Sequence, residues 1–307
     1  MANQAFTEVT NGLKFPEGPV AMPDGSVIVT EMFASRLTRI APDGTKTTVA
    51  EVQGGPNGLA LGPDGALYMC NNGNAFTPID VGGLLYPGPF DPSRYVGGRI
   101  QRVDIATGVI TDLYTHCGDL ALRAPNDIVF DAHGGFWFTD HGLRHERTSD
   151  RTGIYYAKVD GSFIEEVVFP VDSPNGIGLS PTGHKVYWAE THTGRVYQRD
   201  IVSPGKVSPV SGADTSVVLC GLPGYQLFDS LAVDGEGNVC VATLINGGIT
   251  VISPTGEVLD HIAVDDPITT NICFGGPDYG TAFITASSSG RLLSMPWPYK
   301  GLKLNCQ

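Results

Sequence analysis

Charge is scarce in this sequence. Charged side chains make up 17 % of the 307 residues, with 19 basic against 32 acidic and a formal net charge of −13. No basic stripe runs along any segment, so nucleic acid is not an expected partner. No apolar run approaches the roughly 20 residues of a membrane span. The opening Met1-Ala2-Asn3-Gln4-Ala5-Phe6 lacks a basic n-region and an apolar h-region, and Asn-x-Ser/Thr is absent. A cytoplasmic location is therefore expected. The six cysteines, at 70, 117, 220, 240, 273 and 306, form no CxxC pair; they read as scattered thiols, not as a disulfide framework. Three catalytic signatures are also missing. There is no Gly-x-Ser-x-Gly elbow for a serine hydrolase, and no phosphate-binding P-loop. His141 and His145 stand four apart, but without the glutamate of a zinc-protease helix. Long amphipathic helix periodicity is absent throughout.

Glycine (40) and proline (22) are abundant instead, and they punctuate a repeat. Each unit opens with a short polar motif, runs through an apolar stretch, crosses a turn of the Pro-Asp-Gly type and enters a second apolar stretch. Examples are Pro56-Asn57-Gly58-Leu59-Ala60-Leu61 before Pro63-Asp64-Gly65, and Pro174-Asn175-Gly176-Ile177 before Pro181-Thr182-Gly183. A third strand, a second turn such as Pro42-Asp43-Gly44, and a fourth strand follow. Six units start near residues 17, 57, 126, 175, 229 and 271. Four strands in about 40–50 residues is a propeller blade. The expected fold is all-β, a single six-bladed β-propeller of four antiparallel strands per blade over 1–307. The segment Phe6–Leu13 is expected to supply the outermost strand of the sixth blade, closing the ring and removing its free edge.

Ring closure turns sequence position into space. Equivalent residues of the six units circle one axis, and the residues opening each innermost strand are Glu17, Asn57, Asn126, Asn175, Asp229 and Asn271. All six carry a carboxylate or a carboxamide. Asn and Asp also favour strand-entry turns for local reasons, but six oxygen-bearing positions, two of them acidic, form the donor set a hard divalent cation requires. Residues 71–98 interrupt the second unit with a stretch rich in Pro, Gly and aromatics. An insertion of that kind beside the channel is read as a lid.

The chain resembles the SMP-30/gluconolactonase/luciferin-regenerating-enzyme family over nearly its whole length. The residues that carry the likeness are Phe15-Pro16-Glu17-Gly18-Pro19, Asn126-Asp127 with Trp137-Phe138-Thr139-Asp140, Ser173-Pro174-Asn175-Gly176-Ile177, and Asp229-Ser230-Leu231-Ala232-Val233-Asp234. The resemblance implies one catalytic divalent metal, often calcium, with zinc, magnesium, manganese or iron in some members. It implies ligands at Glu17, Asn175 and Asp229, with Asn126 as a fourth ligand or a substrate contact. The implied activity is hydrolysis of a small lactone, a sugar-acid or related lactone, by metal-activated water. Asp229 is then both ligand and general base, with Asp140 and His141 as alternatives. Asp127, following Asn126, is expected on the opposite strand face. Asn57, Asn126, His141 and Arg144 are the expected substrate contacts.

One departure bears on the substrate. Sugar-lactone members carry an arginine two residues before the Asn126 position and an acid in the later loop. Here the first is Ala124, and the loop reads His141-Gly142-Leu143-Arg144-His145-Glu146-Arg147. That basic loop implies an anionic lactone in place of gluconolactone. Two other functions compete: hydrolysis of organophosphates or other esters on the same metal site, and a propeller that serves only as a binding platform.

Overall fold

The computed structural model describes residues 6–212 and 214–307. Inner strands are apolar and buried along almost their full length, while outer strands such as Lys46–Glu51 expose most of their side chains. That gradient sets the order within each blade, since the innermost strand is covered on both faces and the outermost faces water. The turn chemistry read from the sequence is realised at Asp24 and Asp64. Their Oδ1 atoms accept the N–H of Ser26 (3.1 Å) and Ala66 (3.2 Å), and the following glycines take positive φ.

Six antiparallel sheets of four or five strands result, with two further two-stranded ribbons, His116–Cys117 with Leu120–Ala121 and Thr77–Val81 with Leu84–Gly88. Blade 1 comprises Pro16–Ala21, Val27–Glu31, Arg36–Ile40 and Lys46–Glu51; blade 2 comprises Pro56–Leu61, Leu67–Asn71, Arg99–Val103 and Ile110–Tyr114. Blade 3 runs Pro125–Phe130, Gly135–Asp140, Thr152–Lys158 and Ile164–Val171. Blade 4 runs Pro174–Leu179, Lys185–Glu190, Arg195–Ser203 and Val218–Gly221, with a short extra strand Lys206–Val207. Blade 5 holds Leu227–Val233, Val239–Leu244, Gly248–Ile252 and Val258–Ala263. Blade 6 holds Thr269–Gly275, Thr281–Ala286 and Arg291–Pro296, and its fourth strand is Thr7–Thr10 from the other end of the chain. The expected closing strand is therefore present. A 3₁₀ turn at Thr215–Val217 is the only helical element among the described residues. None of their helices is long and apolar enough to cross a membrane.

The six innermost strands contact one another in ring order around the axis, and side chains between blades fill the core. Tyr68, Phe130, Phe136 and Phe138 pack between blades 2 and 3; Trp137, Tyr156 and Trp188 pack between blades 3 and 4. All six cysteines are free thiols.

Neighbouring inner strands approach so closely that the motif glycines are obligatory. A Cβ on Gly58 would lie 2.4 Å from the Asn126 carbonyl oxygen, and one on Gly176 would lie 2.3 Å from the Leu231 nitrogen. In blade 3 the equivalent position is Asp127. Its carboxylate reaches across to accept the N–H of Ile177 at 3.3 Å and also takes the Ile128 N–H at 2.9 Å.

Candidate active site

Each innermost strand breaks register with its neighbour beside its polar opening residue. The irregularities fall between Glu17 and Val20, Pro56 and Leu59, Pro125 and Ile128, Pro174 and Ile177, Phe228 and Leu231, and Thr269 and Asn271. A bulge re-aims a side chain, and here it does so around the ring. The entries are also conformationally unusual. Phe15 (φ 59°) and Ser173 (φ 48°) adopt the left-handed region directly before Pro16 and Pro174, a costly arrangement for non-glycine residues. It delivers Glu17 and Asn175 to the channel mouth.

The mouth holds a cavity of about 320 Å³. Glu17, Asn57, Asn126, Asn175 and Asp229 all line it, and all five are at most 8 % exposed. The sixth expected member, Asn271, does not line this cavity. Its Oδ1 accepts the N–H of Ile272 (2.8 Å), and it lines the channel beneath the ring together with Asp127. Asp127 also departs from its expected place. It lies in the channel one layer beneath the ring because the bulge interrupts the strict two-residue alternation.

The electrostatics of the ring are unbalanced. Burial, then the charges of Asp229 and Asp127, push the Glu17 carboxyl well above the usual carboxylate range. Burial, then repulsion from Asp127, raises Asp229 to about 7 against the pull of a hydrogen bond from Asn175. Burial also raises Asp127 to about 7. Glu17 Oε2, Asn57 Oδ1 and Asn126 Oδ1 are buried without a hydrogen-bond partner. An unpaired buried acceptor costs about 1–3 kcal/mol, and three at one spot call for a shared positive partner. No group of three His, Cys, Asp or Glu side chains placed to hold an ion occurs among the described residues. The ring's set is two carboxylates, Glu17 and Asp229, completed by carboxamides, and the Asp127 oxygens are turned to backbone amides. Such all-oxygen ligation fits a hard cation and not a structural zinc site.

The remaining candidates fall into place around this floor. His141 lines the cavity, and its Nδ1 lies 3.3 Å from the Gly142 carbonyl. Burial, then His192, lowers it to about 4, so it stands neutral near neutrality. Arg144 lies at the rim, its Nη1 3.3 Å from Ser173 Oγ and 3.9 Å from Asp172. Asp140 is not available as a base. Its Oδ1 accepts the N–H of Ala124 (2.7 Å) and Gly142 (3.0 Å), and its Oδ2 accepts that of Arg123 (2.7 Å). It clamps the loop that carries His141.

The family model for the SMP-30/Gluconolactonase/LRE-like region matches residues 15–288. The chain belongs to this family. Among curated relatives, lactonase drp35 of Staphylococcus haemolyticus is 26 % identical over 250 residues, covering 80 % of this chain and 68 % of the relative. A gluconolactonase from Xanthomonas campestris superposes with a TM-score of 0.76 at 20 % identity, over 97 % of this chain and 91 % of that one. Regucalcin from Agrobacterium tumefaciens, a calcium-binding protein, gives 0.74 at 18 % identity and 97 % of both chains. At such identities the structural likeness speaks for the fold.

Within this family member, several site residues escaped sequence reasoning. Thr191 and His192 line the cavity from the end of the second strand of blade 4, where Thr191 Oγ1 accepts from Asn175 Nδ2 at 3.1 Å. Their signal was available, since Glu190-Thr191-His192 occupies the same place in its repeat as Asp140-His141 in blade 3. The apolar wall of Phe15, Met32, Leu227, Leu244 and Ile268 was also missed. No periodicity separates such residues from core. The insertion 71–98 folds back as a hairpin, Thr77–Val81 with Leu84–Gly88. Phe76 and Pro87 to Phe90 line the cavity, and the Leu85 N–H reaches the Ser288 carbonyl of blade 6 at 2.9 Å.

Proposed function

We propose that this protein is a hydrolase that opens small lactone rings, using a divalent cation held by Glu17, Asn175, Asp229 and Asn126. The observation that supports it most directly is the convergence of two buried acids with three unpartnered buried oxygens at the channel mouth. Calcium is the cation that best suits a set made only of carboxylate and amide oxygens. When bound, such a cation supplies Lewis-acid polarisation of the carbonyl and acidification of water. The curated relatives' lactonase activity agrees in reaction type.

The chain's own residues divide the remaining work. Asp229 takes a proton from the water whose oxygen adds to the lactone carbonyl carbon. As the ring C–O bond breaks, that proton passes to the departing alkoxide, and a hydroxy acid leaves. Asn57 and Asn126 orient the carbonyl end. His141, held neutral, offers a hydrogen bond without adding charge, and Arg144 at the rim attracts an anionic substituent. The hairpin of the 71–98 insertion, part of the same single propeller domain, acts as the lid that limits water.

The test combines elemental analysis of the purified protein with a pH-indicator screen on a lactone panel. Bound divalent cation and acid release from lactones are the expected result. Turnover of organophosphates with no turnover of lactones would replace the reading with its esterase alternative. Absence of both cation and turnover would leave a binding platform.

A further inference from the structure

The two sides of the cavity differ in kind. Blades 3 and 4 contribute His141, Arg144, Thr191 and His192. The opposite side is formed by Phe15, Met32, Leu227, Leu244 and Ile268, with Phe76 of the insertion closing over them. These six side chains belong to one continuous apolar cluster that also includes Leu85 and Tyr86 of the hairpin. Polar side chains meet it at Met32, whose Sδ accepts from Asn72 Nδ2 at 3.3 Å and from Asn57 Nδ2 at 3.9 Å.

We infer that the substrate carries an apolar substituent, alkyl or aryl, on the lactone ring, seated against this cluster, and is not a polyhydroxylated sugar lactone. The inference rests on the lactone-hydrolase reading above and specifies its substrate. A sugar lactone presents hydroxyls around its whole ring. Those turned toward Phe15, Leu244 and Ile268 would lose their water without gaining a partner, which is strongly unfavourable. An alkyl or aryl group in the same place is removed from water at a gain that grows with each carbon. The carbonyl then faces the polar floor, and any acceptor on the ring faces Arg144 and the two histidines. A volume of about 320 Å³ accommodates a small ring together with its substituent.

A matched set of γ-lactams tests this without depending on turnover, because the amide resists hydrolysis. The members carry methyl, ethyl, propyl or butyl groups, or hydroxyls in their place, and binding to the full chain with added calcium is read by titration calorimetry. Affinity should rise about three- to fourfold per added methylene until the cavity is full, and the hydroxylated members should bind more weakly than the unsubstituted ring. Leu227→Asn and Ile268→Thr, each checked for a native melting transition, should flatten that rise. Hydroxylated lactams binding as tightly as alkylated ones, or no binding by any member, would overturn the inference. If the alkyl lactams bind in the expected order while the corresponding lactones are not opened, the wall is confirmed and the hydrolase reading fails instead.

Discussion

Blade 1 contains two buried glutamates in opposite circumstances. Glu31, at the end of the second strand, is surrounded by donors: its Oε2 takes the Lys14 N–H at 2.7 Å, and its Oε1 takes Arg36 Nε at 2.8 Å and Thr38 Oγ1 at 2.5 Å. Burial alone would raise its pKa, but Arg36, Thr38 and the Lys14 amide together hold it below the usual range. Glu17, on the axis, has one oxygen with no partner and two other acids for neighbours. Burial raises both Asp140 and Asp229, but their surroundings differ: three backbone N–H groups clamp Asp140, whereas Asp229 faces the charge of Asp127. A buried acid whose lone pairs are filled by its own backbone is part of the scaffold. One left partly unfilled beside others of its sign is held in readiness for something the chain does not itself supply.

The strongest way to break this comparison is at Asp229. With the cation retained, Asp229→Asn should lower kcat by roughly 10²–10⁴-fold, the range of general-base catalysis, while the melting temperature stays close to that of the parent. Near-parental kcat in the cation-loaded variant would move the base to another group.

Paired substitutions within blade 1 sharpen it further. Glu17→Gln should weaken cation affinity on the order of tenfold or more, since affinity follows ligand charge, without destabilising the cation-free protein. Glu31→Gln should do the reverse, costing about 1–3 kcal/mol of stability by disrupting charge-assisted hydrogen bonds and leaving cation binding intact. Calorimetric titration and urea unfolding on both variants read the two axes separately.

His141 yields a smaller, pH-dependent effect. Burial, His192 and Arg144 lower its folded pKa to about 4, against the ordinary 6.5 of a histidine, while the Gly142 carbonyl and Asp172 oppose them. The unfolded state therefore binds the extra proton between these values. The contribution of this histidine is full above the unfolded pKa and is lost as pH falls toward the folded one. Relative to His141→Gln, the parent should lose about 2 kcal/mol of stability between pH 7 and pH 5. Parallel urea curves for the two proteins across that interval would show that the ring titrates normally.

The smallest effect is expected at the insertion. Replacing residues 77–88 by a short turn removes a hairpin held by the Leu85 N–H to the Ser288 carbonyl and by the packing of Leu85 and Tyr86 on the apolar cluster. KM should change severalfold, with only a few degrees' change in melting temperature. A collapsed melting temperature with unchanged kinetics would make the hairpin a packing element.

Much of this molecule is legible in the chain alone, because a propeller is a repeat and a repeat carries its own ruler. The Pro-Asp-Gly turns, the apolar inner strands and the spacing of the six units determined the blades and the closing strand at Thr7–Thr10. They also determined that Glu17, Asn57, Asn126, Asn175 and Asp229 share one axis. Family motifs added the reaction class. What the tertiary structure alone decided lies off that ruler. The register breaks beside the opening residues, which leave Asp127 in the channel and Asn271 beneath the ring, are visible only once the strands are paired. The engagement of Asp140 by the amides of Arg123, Ala124 and Gly142 depends on where a loop folds back. The apolar wall brings together Phe15, Leu227, Leu244 and Ile268 with Phe76, from blades 1, 5 and 6 and an insertion in blade 2. In sequence these are ordinary core residues; only closure of the ring sets them on one side of a cavity.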